Sequence, residues 1–358
     1  MSISVAGQTV PNEYFTAVAY EQLREIKNMR GVKKPFAEAV FSKGVEKVEG
    51  GYMFTVPFEM NEHSRPTRVT AGNSFGTYDT WSQPTMTSGS DVQGYIVQPV
   101  FISGYEKTIN RGKAQQVNII KTRTKNVYDH LLRQAERAFL VGATSSGSHP
   151  GVDSWQDFND LNGTDRSTGF IEEDSSGGNT IHGVSRSTYP ATTHPRFHNI
   201  AADVANSAST NLLDRISTVR GQMEIRGLSA SGSFMWFCTN TFQTNLGKVL
   251  RGGLQYFKMS DGEQQTMKPI LLGKELTVVE ELPYQGTNSA TYKWSCVGVN
   301  FGEGIHFRGQ SGCILDMTPF ADVPGTVGVQ SALYHLFGQL CSKGPGDQIL
   351  FHRAETYS

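Results

Sequence analysis

The sequence lacks the features that mark several large classes of protein. It has no run of about 18 apolar residues, so no segment is long enough to span a bilayer as an apolar helix. Its start has no basic segment followed by an apolar one, so we predict no secretory signal peptide. A formal net charge of −1 provides no long-range field to hold nucleic acid. We therefore expect a soluble protein, made in a cytoplasm, that has no membrane partner.

Cysteine is also scarce. The chain has four cysteines among 358 residues. They are far apart, and each lies in an apolar run: Cys238, Cys296, Cys313 and Cys341. Because cytosolic proteins rarely keep disulfides, this spacing predicts buried, reduced thiols.

The N-terminal third alternates between helical and strand-like patterns. Residues 14–30 have the spacing of a short amphipathic helix, and a polar connector is expected to follow through Gly44. Two runs rich in Val, Ile, Phe and Tyr come next, and each carries a proline, Pro57 and Pro99. Proline cannot donate to a strand ladder, so these strands are expected at an edge or outside a central sheet.

A polar stretch separates the two runs and carries three aromatic residues, Phe75, Tyr78 and Trp81. The pattern predicts a long two-stranded finger with an aromatic-bearing loop. Such a finger has too little apolar surface to be stable alone, so it is expected to need a partner surface.

Residues 113–140 give the strongest helix signal, with an apolar stripe that predicts a helix about 40 Å long. Residues 142–196 are rich in Gly, Ser, Thr, Asn and Asp, which predicts an extended polar insertion. An α+β segment follows, with helices at about 211–226 and after Thr239 around a strand at 234–238. The tail alternates like strands that return to pair with earlier ones.

No catalytic, cofactor-binding or metal-binding constellation stands out. Ser74 lies in a G-x-S-x-G match, but the residues around it cannot form the strand-to-helix turn that a nucleophile elbow needs. His194 and His198 are four residues apart, with His182 upstream, but Pro195 disfavours helix at His194. Histidines on the surface or in the insertion are the favoured interpretation. A serine- or metal-dependent hydrolase is kept as the alternative from another class.

The predicted long helix is rich in basic residues, including Arg123 and Lys125. One interpretation is a solvated helix face. The other is pairing with an acidic neighbouring subunit, for which the finger supplies Glu59 and Glu62, or weak contact with packaged DNA. Both interpretations stay open at this point.

The order of these elements resembles the Hong Kong 97-type fold of tailed-phage major capsid proteins, over about residues 10 to 355. Locally, Leu272–Pro283 (LGKELTVVEELP) is similar to a late strand pair of that family, and Phe234–Gly253 is similar to its strand, short helix and Leu-Arg-Gly segment. The resemblance implies an α+β chain with five parts: an N-terminal arm (1–44), an extended β-hairpin E-loop (45–110), a P-domain with spine helix and polar insertion (111–196), an A-domain (197–320) and a return to the P-domain (321–358).

The resemblance also implies a function. Copies would form pentamers and hexamers of an icosahedral shell around double-stranded DNA, which they would contact weakly and non-specifically. A separate scaffolding protein, a portal and a decoration protein would be further partners, and no cofactor is implied. The location would be the virion capsid, assembled in the host cytoplasm. The nearest rival is an encapsulin-like nanocompartment shell.

One departure from the family concerns covalent crosslinking. From Val48 to Glu106 the E-loop has no lysine, so the lysine–asparagine crosslink of one branch has no donor there, and a noncovalent shell is expected. The residues predicted to form the assembly interface are Glu59, Glu62, Arg65, Arg68, Phe75, Tyr78, Trp81, Arg123 and Lys125.

Overall fold

A computed structural model gives the architecture of the chain. It describes residues 3–5, 8–10, 34–51, 53–60, 86–103, 105, 113–141, 170–171, 180–189, 194–203, 209–228, 232–252, 270–279, 294–326 and 328–352. Across those ranges, no helix is long and apolar enough to cross a membrane.

Helices and strands both contribute to the described residues. The α-helices are α1 (Pro35–Lys43), α2 (Lys113–Val141), α3 (Ser209–Arg226) and α4 (Asn240–Gly252). The strands are β1 (Ile3–Val5), β2 (Gln8–Val10), β3 (Val45–Val48), β4 (Met53–Glu59), β5 (Met86–Val92), β6 (Gly94–Ile102), β7 (Phe170–Ile171), β8 (Thr180–Ile181), β9 (Val184–Ser185), β10 (Ile200–Asp203), β11 (Phe234–Cys238), β12 (Ile270–Leu271), β13 (Lys274–Val278), β14 (Trp294–Asn300), β15 (Ile305–Met317), β16 (Ala321–Asp322), β17 (Gln330–Ser342) and β18 (Ile349–His352).

The chain divides into two compact units. The first comprises Met1–Lys33, Val97–Arg133 and Leu315–His335, and the second comprises Lys34–Ile96, Gln134–Ile314 and Leu336–Ser358. Each unit is therefore built from segments that are distant in sequence. The five-part division expected from the sequence stays a prediction.

A seven-stranded sheet forms the centre of the second unit. Its strand order is β12-β13-β11-β14-β18-β10-β7, with parallel pairs at β11–β13 and β10–β18 and antiparallel pairs elsewhere. The strand β11 has the sequence FMWFC, in which four of five side chains are buried. A strand covered on both faces is expected to have such a continuous apolar run.

Both faces of this sheet carry a core. On one face, Trp236 and Phe351 pack with α3 and α4 through residues such as Val219 and Phe242. Gly298 lies opposite Trp236 in the register, and a Cβ at Gly298 would come within 2.6 Å of the indole ring, so glycine leaves room for that ring. The other face carries the edge-to-face ring cluster of Phe36, Phe237 and Phe301, with centroids 5.0–5.9 Å apart.

Helix α1 corrects one expectation. The polar connector predicted before Gly44 contains a nine-residue helix whose Phe36 and Val40 are fully buried. Pro35 stands at its first turn, where proline is tolerated, and Glu136 of α2 accepts a hydrogen bond from the Ala37 amide at 3.3 Å. The helix was missed because its apolar face is only two turns long. The predicted helix at 14–30 lies outside the described residues.

Most other predicted elements are confirmed. The long helix runs from Lys113 to Val141, with Leu131, Ala135 and Ala138 buried on its predicted stripe. Gly227 takes φ +74° immediately after α3, and the Thr239 side chain accepts a hydrogen bond from the Phe242 amide at the start of α4. The returning strands β17 and β18 also form, and a five-stranded sheet contains β16-β17-β15-β3 in order, with β6 paired to β17.

Candidate assembly surface at the base of the finger

The predicted finger joined two apolar runs, but the second run forms β6, which carries Pro99 and pairs with β17. The first run forms β4, which pairs with β5, and we call β4 and β5 the finger base. They pair antiparallel from Met53 opposite Val92 to Glu59 opposite Met86. The strand β5 was not predicted, because its sequence, MTSGSDV, has no apolar alternation. Pro57 sits in this two-stranded sheet, away from the central one, as predicted.

The two faces of the finger base differ in exposure. Phe54, Val56 and Phe58 are buried, whereas the alternate residues of β4 are exposed. The inward face packs in the subunit's own core, so these strands have within their own chain the partner surface that the finger was expected to need. The outward face carries three exposed apolar side chains, Met53, Met86 and Val92.

The predicted interface residues fall in three places. Glu59 is exposed at the end of β4 in the second compact unit. Arg123 and Lys125 lie on α2 in the first unit, where Lys125 is exposed and Arg123 donates a 2.7 Å hydrogen bond to the Phe101 carbonyl. The remaining six lie outside the described residues: Glu62, Arg65, Arg68, Phe75, Tyr78 and Trp81.

An ionic cluster that the sequence did not reveal lies beside the finger base. Both carboxylate oxygens of Glu46, on β3, accept hydrogen bonds from Arg308, at 3.0 and 3.4 Å, and Lys343 donates to Oε2 at 3.1 Å. Arg308 also donates to the Thr55 carbonyl at 2.7 Å, so the cluster holds β4 by its backbone. These residues are up to 297 positions apart in sequence, and no local spacing connects them.

The electrostatics of the cluster follow from burial and charge. Partial burial raises the pKa of Glu46, but the hydrogen bonds and positive charges of Arg308 and Lys343 outweigh it and lower the pKa to about 2. His306 is buried 3.2 Å from the same carboxylate. Its burial, together with the charges of Lys343 and Arg308, lowers the pKa of His306 to about 3, so the ring is neutral at pH 7.

The hairpin of β8 and β9 supplies the other support of the finger base. His182 and Gly183 form its two-residue turn with φ of +51° and +81°, the left-handed pair of a type I′ turn. The His182 carbonyl accepts a 2.9 Å hydrogen bond from the Ser90 amide of β5. The His182 ring contacts the Asp91 carboxylate and stacks against Phe58 at a centroid separation of 6.1 Å.

Two expectations about the insertion and its histidines are therefore wrong. Part of the predicted polar insertion, residues 180–189, packs against the finger base and carries the fully buried Arg186. His182 and His198 are buried rather than exposed, and only His194 is half-buried. In the described part of the chain, no three potential ligands are grouped to hold a metal ion, and Ser74 lies outside that part.

The cysteines are free thiols, as predicted, although Cys313 is only half-buried. Burial raises the pKa of Cys238 to about 12 and the pKa of Cys296 well above its usual value. Cys238 and Cys296 lie opposite each other in the register of β11 and β14.

The chain is similar to known proteins in structure and not in sequence. No protein-family model matches the chain, and no curated protein sequence does either. Among solved structures, the capsid of cyanophage A-1(L) is similar with a TM-score of 0.62 at 11% identity, covering 91% of this chain and 94% of that one. The capsid of the Myoviridae phage XM1 gives 0.55 at 10% identity, covering 97% and 99%.

A further similar structure is the SrpI encapsulin of Synechococcus elongatus, with a TM-score of 0.53 at 10% identity and coverage of 95% and 97%. These likenesses extend over nearly the whole length of each chain. At such low identity they establish a fold alone. The chain has the α+β Hong Kong 97-type capsid fold that the order of elements in its sequence predicted.

Proposed function

We propose that this chain is a major capsid protein that assembles through pentamers and hexamers into an icosahedral shell around double-stranded DNA. The observation that carries the proposal is the full-length likeness to phage capsids. The chain covers 94% of the cyanophage A-1(L) capsid chain and 99% of the XM1 chain, so no large part of either lacks a counterpart.

The finger base supports an intersubunit role for the finger. Its inward face is fixed to the subunit, while Met53, Met86 and Val92 point outward and are 45–72% exposed. Met53 and Val92 lie directly opposite each other in the register, and contiguous exposed apolar side chains are typical of interaction surfaces. We infer that this face and the predicted residues Glu59, Glu62, Arg65, Arg68, Phe75, Tyr78 and Trp81 contact a neighbouring subunit, with Arg123 and Lys125 as candidate basic partners.

The wider setting follows from the same proposal. The chain would act in the virion capsid, after assembly in the host cytoplasm with a separate scaffolding protein, a portal and a decoration protein. A net charge of −1 suits weak, non-specific contact with packaged DNA, since tight binding requires many basic contacts to phosphate. We infer a structural rather than a catalytic role. A covalent serine probe and a metal assay would detect the hydrolase alternative.

A nanocompartment shell is the second candidate, because the encapsulin likeness has a TM-score of 0.53 over 95% of the chain. The two candidates differ in what starts assembly and in what the shell encloses. A phage capsid protein is expected to need scaffold and to enclose DNA, whereas a nanocompartment would close alone around a protein cargo. Neighbouring genes for portal and terminase, or for a cargo enzyme, would separate them.

Negative-stain microscopy of the expressed protein, alone and with its scaffold, tests the proposal. We expect uniform closed shells when scaffold is present. The variant Trp81→Ala should reduce shell yield while leaving the melting temperature of the subunit nearly unchanged, because interface aromatics commonly contribute about 2–4 kcal/mol to association. Only monomers or small oligomers under every condition, with scaffold confirmed to bind, would contradict the proposal.

A further inference from the structure

His182 occupies an unusual position for a buried, titratable side chain. It stands first in the β8–β9 turn with φ +51°, a conformation that histidine adopts more readily than most residues other than glycine. The turn therefore aims the ring into the finger base instead of solvent. The fit is close, because a Cβ at Gly89 of β5 would come within 2.5 Å of the His182 Cβ.

The contacts of the ring fit one neutral tautomer. Nε2 lies 2.9 Å from the Ser342 amide, which donates to it, so Nε2 accepts and carries no proton. Nδ1 then carries the proton and donates it to the Asp91 carboxylate. One neutral tautomer satisfies both neighbours, and it joins β5 to β17 across 91 and 160 residues of sequence.

We propose that His182 is a proton-controlled latch, in which the neutral ring holds the finger base against the subunit and a second proton on the ring releases it. The inference deepens the proposed function and rests on it, because a releasable finger matters to assembly only if the chain forms a shell. The latch itself is a property of the single subunit.

The surroundings of the ring oppose a second proton. A proton on Nε2 would point toward the Ser342 N–H, and although the Ser342 carbonyl at 3.2 Å favours the charged ring, burial outweighs it. Among the described residues, the charged and titratable groups that act on this region include the acids Asp91 and Glu46 and the bases Arg308, Lys343 and His306. Asp91 favours a charged ring, but burial, the Ser342 amide that already donates to Nε2 and the positive charge of Arg308 oppose it.

The direction of the pH effect follows from these contacts. Burial lowers the pKa of His182 from 6.5 to about 4 in the docked state. The released ring binds protons below about pH 6.5 and the docked ring only below about pH 4. Docking is therefore fully favoured above pH 6.5 and weakens as the pH falls toward 4. For one such group, the released fraction rises roughly 20-fold between pH 7 and pH 5.

Hydrogen exchange of the full-length, unassembled chain tests the latch, with rates at residues 86–92 corrected for the intrinsic pH dependence of exchange. The wild type should show the rise of roughly 20-fold from pH 7 to pH 5. His182→Asn keeps a side chain that tolerates the left-handed turn but removes the titration, so its corrected rates should be flat with pH. If His182→Asn retained the wild-type pH profile, the latch would be refuted.

Two further variants keep the test decisive if His182→Asn fails to fold. Asp91→Asn leaves an acceptor for Nδ1 but removes the charge that favours the imidazolium, so the docked pKa should fall further and the rise in exchange should continue to lower pH before it levels off. A rise that levels off at the same pH as in the wild type, or at a higher pH, would overturn the proposal. His306→Asn should retain the rise in exchange rate from pH 7 to pH 5. Loss of that rise in this variant would assign it to His306 instead.

Gly89→Ala is the matched control that alters no titratable group. Its methyl group should push β5 from the turn and speed exchange at residues 86–92 at every pH. The rise in exchange rate from pH 7 to pH 5 should become smaller. Because the readout is on the single subunit, a failed latch and a failed shell hypothesis are separable. A failed latch appears as a wild-type pH profile in His182→Asn. A failed shell hypothesis appears as an absence of closed particles by microscopy.

Discussion

The seven-stranded sheet and the finger base are both built mainly from short antiparallel strands, but they are stabilised differently. The sheet has apolar cores on both faces, and its Trp236, Phe237 and Phe351 are fully buried. The finger base is buried on one face only, and its other supports are polar contacts from Glu46, Arg308 and His182. The sheet is expected to lose stability mainly when buried side-chain volume is removed. The finger base is expected to lose stability when charge is removed as well.

The largest effect is expected from Trp236→Ala in the sheet. Its indole ring is fully buried against Phe234 and Phe351, with centroids 5.1 and 5.8 Å away. Removing it should lower the free energy of unfolding by about 4–5 kcal/mol, measured by denaturant titration. Amide exchange should rise throughout the second unit. A rise confined to the edge strands would contradict the idea of one cooperative core.

A smaller and more local effect is expected from Phe58→Ala in the finger base. The ring stacks on His182 and meets Phe197 edge-to-face at 5.5 Å. Its loss should cost about 3 kcal/mol, at the lower end for buried aromatics, and should speed exchange mainly at residues 53–59 and 86–92. Equal changes at β11 would mean that the two regions unfold together.

Glu46→Gln tests the polar support of the finger base. The side chain is 41% exposed, so solvent screening limits the expected loss at pH 7 to about 0.5–1 kcal/mol, and salt should reduce it. The lowered pKa of Glu46 provides stability above about pH 4.5 that is lost as the pH falls toward about 2. The difference between wild type and variant should therefore shrink across that window. A constant difference would exclude the ionic contribution.

The smallest effect is expected from Gly221→Ala, and it should be stabilising. Gly221 lies inside α3, and no described atom outside the helix and its chain neighbours comes within 4 Å of a Cβ placed there. Alanine should add about 0.5–1 kcal/mol through helix propensity. Gly298→Ala is the matched control and should destabilise, since its methyl group would overlap the rings of Phe234 and Trp236.

Elements with a local sequence pattern could be predicted, and contacts between distant residues could not. The helix α2 could be predicted because its stripe repeats over 29 residues, and the strand β11 because every position is apolar. The strand β5 could not, because its inward positions are Thr87, Gly89 and Asp91, whose role depends on the turn at His182. The finger-base contacts join residues 91 to 297 positions apart, which periodicity cannot detect.

The position of β18 constrains when the subunit can fold during its synthesis. This strand lies between β14 and β10 in the middle of the seven-stranded sheet, and its pairing with β10 spans about 150 residues of sequence. Until the ribosome has released residue 352, β14 and β10 lack their shared neighbour and the central core cannot close. At about 5–20 residues per second, the earlier segments wait several seconds in an incomplete state. A nascent chain therefore cannot present a finished subunit before β18 has emerged.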